Sequence, residues 1–205
     1  MIQLEDVNKS YEGRPLLTNF SINIDTNQFV TITGRSGSGK STLLNIMSLL
    51  DVPDKGTVKV RNILNPDRKK TQWLRRFHFG YIFQNYVLMN QNTVEENLLL
   101  STQYSKKVSS NELIGVLEKV KLDGSYLKKR IYQLSGGEQQ RLAIARIILK
   151  PCDIIFADEP TGNLDHHNKK IILSLFHELQ QKGKTIVCVT HDAEIAKQSD
   201  KNIEL

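Results

Sequence analysis

Gly34-Arg35-Ser36-Gly37-Ser38-Gly39-Lys40-Ser41 fits the phosphate-binding pattern GxxxxGK[ST] at every fixed position. A strand-like apolar run, Gln28 to Thr33, leads into it, and a helical pattern from Lys40 to about Leu50 follows. The glycines let successive backbone N–H groups turn inward as an anion nest, and the helix directs its positive dipole end at the same point. Lys40 adds a point charge suited to β- and γ-phosphates. Ser41 adds a hydroxyl ligand for Mg²⁺, the ion that neutralises charge during phosphoryl transfer. The segment therefore predicts binding of a nucleoside triphosphate.

The rest of the chain has the size and pattern to carry such a site. Its 205 residues are 39% hydrophobic, enough for one well-cored domain, and two independent domains are not expected. Further strand candidates are Met1 to Val7, Phe20 to Ile24, Thr57 to Val60, Gly80 to Phe83, Asp153 to Ala157 and Thr185 to Thr190. The last two are nearly continuous apolar runs, as parallel strands covered on both faces require. Between them Ile171, Ile172, Leu175, Phe176 and Leu179 recur at helical spacing and predict a crossover helix. From Val94 to Lys129 the pattern is helical, which predicts an inserted helical subdomain.

No apolar run approaches the roughly 18 residues that span a bilayer, and Met1 to Ser10 lacks the features of a signal peptide. A cytoplasmic chain is expected. Cys152 and Cys188 each sit beside or inside an apolar run and read as buried thiols. Lys and Arg exceed Asp and Glu by 28 − 22 = 6, with clusters at Arg68-Lys69-Lys70, Arg75-Arg76 and Lys128-Lys129-Arg130. Aromatic residues do not alternate with these charges as a nucleic-acid stacking platform would need, so a solvated basic face is expected.

Two further segments carry chemistry. Leu134-Ser135-Gly136-Gly137-Glu138-Gln139-Gln140-Arg141 opens a helix running to Lys150, either as a second anion site or as an ordinary cap. Ile154-Ile155-Phe156-Ala157-Asp158-Glu159 is an apolar strand ending in two carboxylates, placed to partner Mg²⁺ and water or simply to begin a turn. His191 follows the strand Thr185 to Thr190.

Together these segments resemble the ATP-binding subunit of an ABC transporter. The matching features run from Tyr11 to Asp192: the loop at Gly34, Gln84 after a strand, LSGGEQQR, Asp158-Glu159, Asp165 in Gly162-Asn163-Leu164-Asp165, and His191. SGSGKSTLLN, YIFQ and ADEPTGNLD are similar to the group serving macrolide efflux, lipoprotein release, cell division and antimicrobial-peptide resistance. Asn27-Gln28 departs from the family's usual Gly-Glu, and the end at Leu205 argues against an appended regulatory domain.

The resemblance implies an α/β fold: a P-loop NTPase core with a mixed sheet, a small antiparallel β subdomain and an α-helical subdomain inserted at about 85–134. It implies that ATP and Mg²⁺ are the cofactors. The nucleotide would be held by Gly34, Arg35, Ser36, Gly37, Ser38, Gly39, Lys40, Ser41 and Thr42, with Tyr11 beneath the adenine. Ser135, Gly136 and Gly137 would meet the γ-phosphate of ATP bound to another copy in a homodimer, and Asp165 would help join the two sites. Asp158 would hold Mg²⁺ with Ser41, Gln84 would contact Mg²⁺ or the attacking water, Glu159 would act as general base, and His191 would contact the γ-phosphate. Gln84 would also report nucleotide state to a separate membrane permease, so the chain would sit peripherally on the inner face of the membrane. A nucleic-acid-associated ABC ATPase, or a regulator without turnover, is the alternative. The apolar cluster Tyr86, Val87, Leu88 and Met89 is expected to dock the permease. His166 and His167 are expected to face solvent.

Overall fold

The computed structural model describes residues 1–104, 107–162 and 164–205. Asn163 of the 162–165 segment, and residues 105 and 106 of the helical stretch, lie outside the described residues. In chain order the strands are β1 (Ile2–Tyr11), β2 (Arg14–Ile24), β3 (Phe29–Thr33), β4 (Lys55–Val60), β5 (Ile63–Leu64), β6 (Phe79–Ile82), β7 (Ile154–Asp158), β8 (Thr185–Val189) and β9 (Lys201–Glu204). The helices are α1 (Lys40–Met47), α2 (Arg68–Phe77), α3 (Val94–Leu100), α4 (Ser110–Lys119), α5 (Gly136–Leu149), α6 (His166–Gln181) and α7 (Ala193–Lys197).

The expected mixture of strand directions is divided between two sheets. One is antiparallel, in the order β2-β1-β4-β5, and the other is parallel, in the order β6-β7-β8-β3-β9. Along the parallel strands alternate residues serve opposite faces, because side chains in a strand repeat every second position. Phe29, Ile186 and Ile155 lie in one register row and join a core built with α3 to α6. Val30, Val187 and Phe156 form the next row and join a core shared with α1 and the antiparallel sheet. This two-sided burial explains why all five residues of β8 are buried.

Several elements differ from the expected bounds. β2 begins at Arg14, six residues before the predicted Phe20, because Glu12 and Gly13, at φ 48° and 78°, form a two-residue turn that pairs Tyr11 with Arg14. The helical stretch 94–129 breaks into α3, α4 and a short 3-10 turn over 124–128. Thr93 with Glu96 and Ser109 with Glu112 form capping boxes that start α3 and α4. The basic cluster 68–76 lies on α2, whose last turn holds Arg75 and Arg76 near the negative dipole end.

All strands of the parallel sheet present their C-terminal ends on one edge, where ligands of such sheets bind. The order β6-β7-β8-β3 therefore brings together segments remote in sequence. Gln84, Asp158-Glu159, His191 and the loop 34–39 all leave the sheet there.

Candidate active site

The loop between β3 and α1 is built on left-handed backbone. Gly37 and Gly39 have φ 78° and 96°, conformations that cost a non-glycine residue energy, and Gly39 caps α1. At Gly34, φ 145°, an added Cβ would collide with the backbone carbonyl of Leu205. Lys40 is 7% exposed and its Nζ donates to the Gly34 and Arg35 carbonyls at 3.1 and 2.8 Å. Its charge thus lies across the mouth of the loop.

Ser41 Oγ donates to Asp158 Oδ1 at 3.2 Å, joining the start of α1 to the end of β7. Burial is the leading influence on Asp158 and raises its proton affinity, against the Ser41 hydrogen bond and the Lys40 charge. The next residue leaves the strand at φ 45°, and its backbone N–H donates to the Val189 carbonyl at 3.0 Å. Such a left-handed non-glycine residue costs on the order of 1–3 kcal/mol and persists only where its surroundings fix it. Glu159 is that residue. Burial raises its proton affinity too, while His191 opposes the rise.

These side chains face one cleft of about 550 Å³. It is lined by Ser36, Gly37, Gly39, Lys40, Ser41 and Thr42, together with Gln84, Asp158, Glu159 and His191. Leu16, Gly162 and Val189 also line it and were not singled out from sequence. Leu16 is an apolar strand residue with no distinguishing sequence signal; a Cβ added at Gly39 would lie 3.5 Å from its own Cβ.

Other predicted residues lie elsewhere. Tyr11 does not line the cleft; the residue is 48% exposed and its hydroxyl donates to Asp51, which follows α1. Lys9 Nζ lies 5.1 Å from the ring centroid and donates to Asp51 at 3.0 Å. Ser135 caps α5 through a reciprocal box with Glu138, and Gly136 and Gly137 form its first turn, apart from the chain's own cleft. Asp165 caps α6 by accepting from the Asn168 backbone at 2.8 Å. His166 and His167 are exposed, and among the described residues no group of three or more His, Cys, Asp or Glu could hold a metal. Cys152 and Cys188 are free, buried thiols.

Comparison with known proteins places this geometry. A family model described as ABC transporter matches residues 17–162. The macrolide export ATP-binding/permease protein MacB of Shigella flexneri is 38% identical over the whole chain, as is the pyoverdine export ATP-binding/permease protein PvdT of Pseudomonas fluorescens. The chain spans about a third of the length of these relatives, 33% in each case. Among solved structures, a dimeric structure of MJ0796, a bacterial ABC transporter cassette, aligns with TM-score 0.89 and 38% identity, covering 100% of this chain and 94% of that one. A post-hydrolysis structure of the same cassette bound to ADP and Pi aligns with TM-score 0.88 at 36% identity. The family match over most of the chain, the agreement in fold and the cleft together establish that this chain belongs to the ABC transporter family, as one of its ATPase cassettes.

Proposed function

We propose that this chain binds ATP with Mg²⁺ and hydrolyses it to power export or extraction of a peptide-, drug- or lipoprotein-like substrate through a separate membrane permease. The observation that carries the reading is the meeting of Ser41 and Asp158 at 3.2 Å on a cleft that also holds Lys40, Glu159 and His191. The donor set fits Mg²⁺: adjacent ligands on an octahedron with bonds near 2.1 Å lie about 3.0 Å apart, and the ion needs only one or two carboxylates beside phosphate and water. Ser41, Asp158 and Gln84 would hold it, and when bound it neutralises phosphate charge.

The chain's own residues divide the remaining work. The loop N–H groups and Lys40 orient the phosphates, and His191 contacts the terminal one. Glu159 accepts a proton from the attacking water, a role favoured by its burial and raised proton affinity. The exposed ring of Tyr11 is free to lie beneath adenine, with Leu16 beside the same nucleotide. Ser135, Gly136 and Gly137 stand away from their own cleft, which supports their use on ATP bound by a second copy, with Asp165 joining the two sites.

The chain is a single ABC-type ATP-binding domain, with the helical part at about 85–134 inserted in it. Among the described residues no helix is long and apolar enough to cross a membrane. The permease would instead dock in a groove of about 260 Å³ between α2, α3 and α5, lined by Tyr81, Phe83, Tyr86, Val87, Leu100 and Tyr104 with Arg76 and Arg146. Aromatic and Arg side chains suit such an interface. The assembly would work at the cytoplasmic face of the membrane, without nucleic acid. The reading is tested with Lys40→Ala, which removes a phosphate contact made before reaction: loss of most ATP binding is expected, and undiminished binding would contradict it.

A further inference from the structure

Asn168, on the first turn of α6, has no role in the chemistry above, yet both the Asp165 corner and α5 meet its side chain. Its Nδ2 donates to Asp165 Oδ2 at 2.7 Å, while its backbone N–H donates to Asp165 Oδ1 at 2.8 Å. Its Oδ1 accepts from Arg141 Nη1, on α5. A guanidinium only donates and a carboxylate only accepts, so the amide has a single allowed orientation between them. Both bonds are charge-assisted, the stronger kind.

The amide also sets the space in front of α5. A Cβ on Gly137 would lie 2.8 Å from Asn168 Cγ and Oδ1, closer than such contacts allow. A side chain at 137 would therefore have to displace the Asn168 amide, which Arg141 and Asp165 hold in place. The following residue reaches the other way: Lys169 Nζ donates to Asp192 Oδ2 at 2.8 Å, beside His191. The first turn of α6 is thus anchored on both flanks.

We propose that Asn168 is a positioning residue that locks the segment Ser135–Gly137 to the Asp165 corner, so that both are presented to the nucleotide of a second copy as one rigid unit. The proposal rests on the reading that two copies share ATP. Two measurements on the full chain test it separately from that reading.

The first is amide hydrogen exchange of the isolated chain. Asn168→Ala should speed exchange of residues 135–139 by about tenfold, with residues 40–47 unchanged, because the α5 terminus loses its tether. Unchanged exchange at 135–139 would overturn the proposal. Should the alanine variant not fold, Arg141→Ala is read the same way, because it removes the α5 donor that Asn168 holds.

The second is Mg-ATP-driven association in a Glu159→Gln background, followed by sedimentation. Asn168→Ala should raise the protein concentration needed for association roughly tenfold, with ATP affinity of the monomer unchanged within about twofold. Adding Arg141→Ala should weaken association no further, because both substitutions break one link. Independent, multiplying effects would overturn the proposal. If Glu159→Gln alone fails to associate, the shared-ATP reading falls and hydrogen exchange still decides the role of Asn168.

Discussion

His191 presents two nitrogens to one carboxylate: its Nε2 stands 3.3 Å from Glu159 Oε1, and its backbone N–H donates to Oε2 at 3.4 Å. Oε1 is buried and the ring nitrogen approaches it without hydrogen-bond alignment, so that oxygen keeps a lone pair for a proton. A base for water activation needs this combination of fixed position and free acceptor.

The same burial has a consequence for stability. Burial leads the causes that raise the proton affinities of Asp158 and Glu159, so each ionises less readily folded than unfolded. As pH rises from the ordinary carboxylate range through the raised values, the unfolded chain gives up these protons first and the folded state loses stability. Glu159→Gln removes its share of that loss. Thermal unfolding of the nucleotide-free variant should therefore occur a few degrees above wild type at about pH 8, with the gap closing below about pH 4. A gap that widens on acidification would reverse the assigned sign.

The apolar cluster after Gln84 divides between two duties. Val87 and Met89 are about half exposed, at 52% and 51%, whereas Leu88 is partly buried and packs against the core. Val87→Glu should leave the melting temperature within about 2 °C of wild type and abolish co-purification with the permease. Leu88→Glu should instead destabilise the isolated chain, because it places a charge against buried apolar surface. Retention of the complex by Val87→Glu would remove this surface from the docking site.

Tyr11 separates in the same way into ring and hydroxyl. The hydroxyl serves Asp51, a contact within the fold, and the ring is the part proposed to serve the base. Tyr11→Ala should weaken ATP binding roughly five-fold to a hundred-fold if stacking supplies ~1 to 3 kcal/mol, and Tyr11→Phe should bind as wild type. Titration with a fluorescent ATP analogue distinguishes the two. Equal losses in both variants would assign the residue to structure alone.

These outcomes trace what was legible in the sequence. The loop 34–41 was legible because its glycines meet a backbone requirement, with φ 78° and 96° at Gly37 and Gly39, that few other residues satisfy. β7 and β8 were legible because burial on both faces leaves an unbroken apolar run. β5 and β9 were missed: one has two residues, and the other, Lys-Asn-Ile-Glu, buries only Ile203 at the sheet edge. Leu16 and Asn168 were missed for a different reason. Their surroundings come from segments far along the chain, and neither residue type announces such a neighbour. The inward turn of Leu88 and the Tyr11–Asp51 contact likewise depend on packing that periodicity does not encode.

The account turns on Glu159 as the group that acts on water at the Lys40 cleft. Steady-state phosphate release and ATP binding by Glu159→Gln, measured on the same preparation at saturating Mg-ATP, address it most directly. The predicted result is binding equal to wild type with hydrolysis slowed by roughly 10² to 10⁴, the usual contribution of a positioned base. Hydrolysis near the wild-type rate with binding intact would contradict the account.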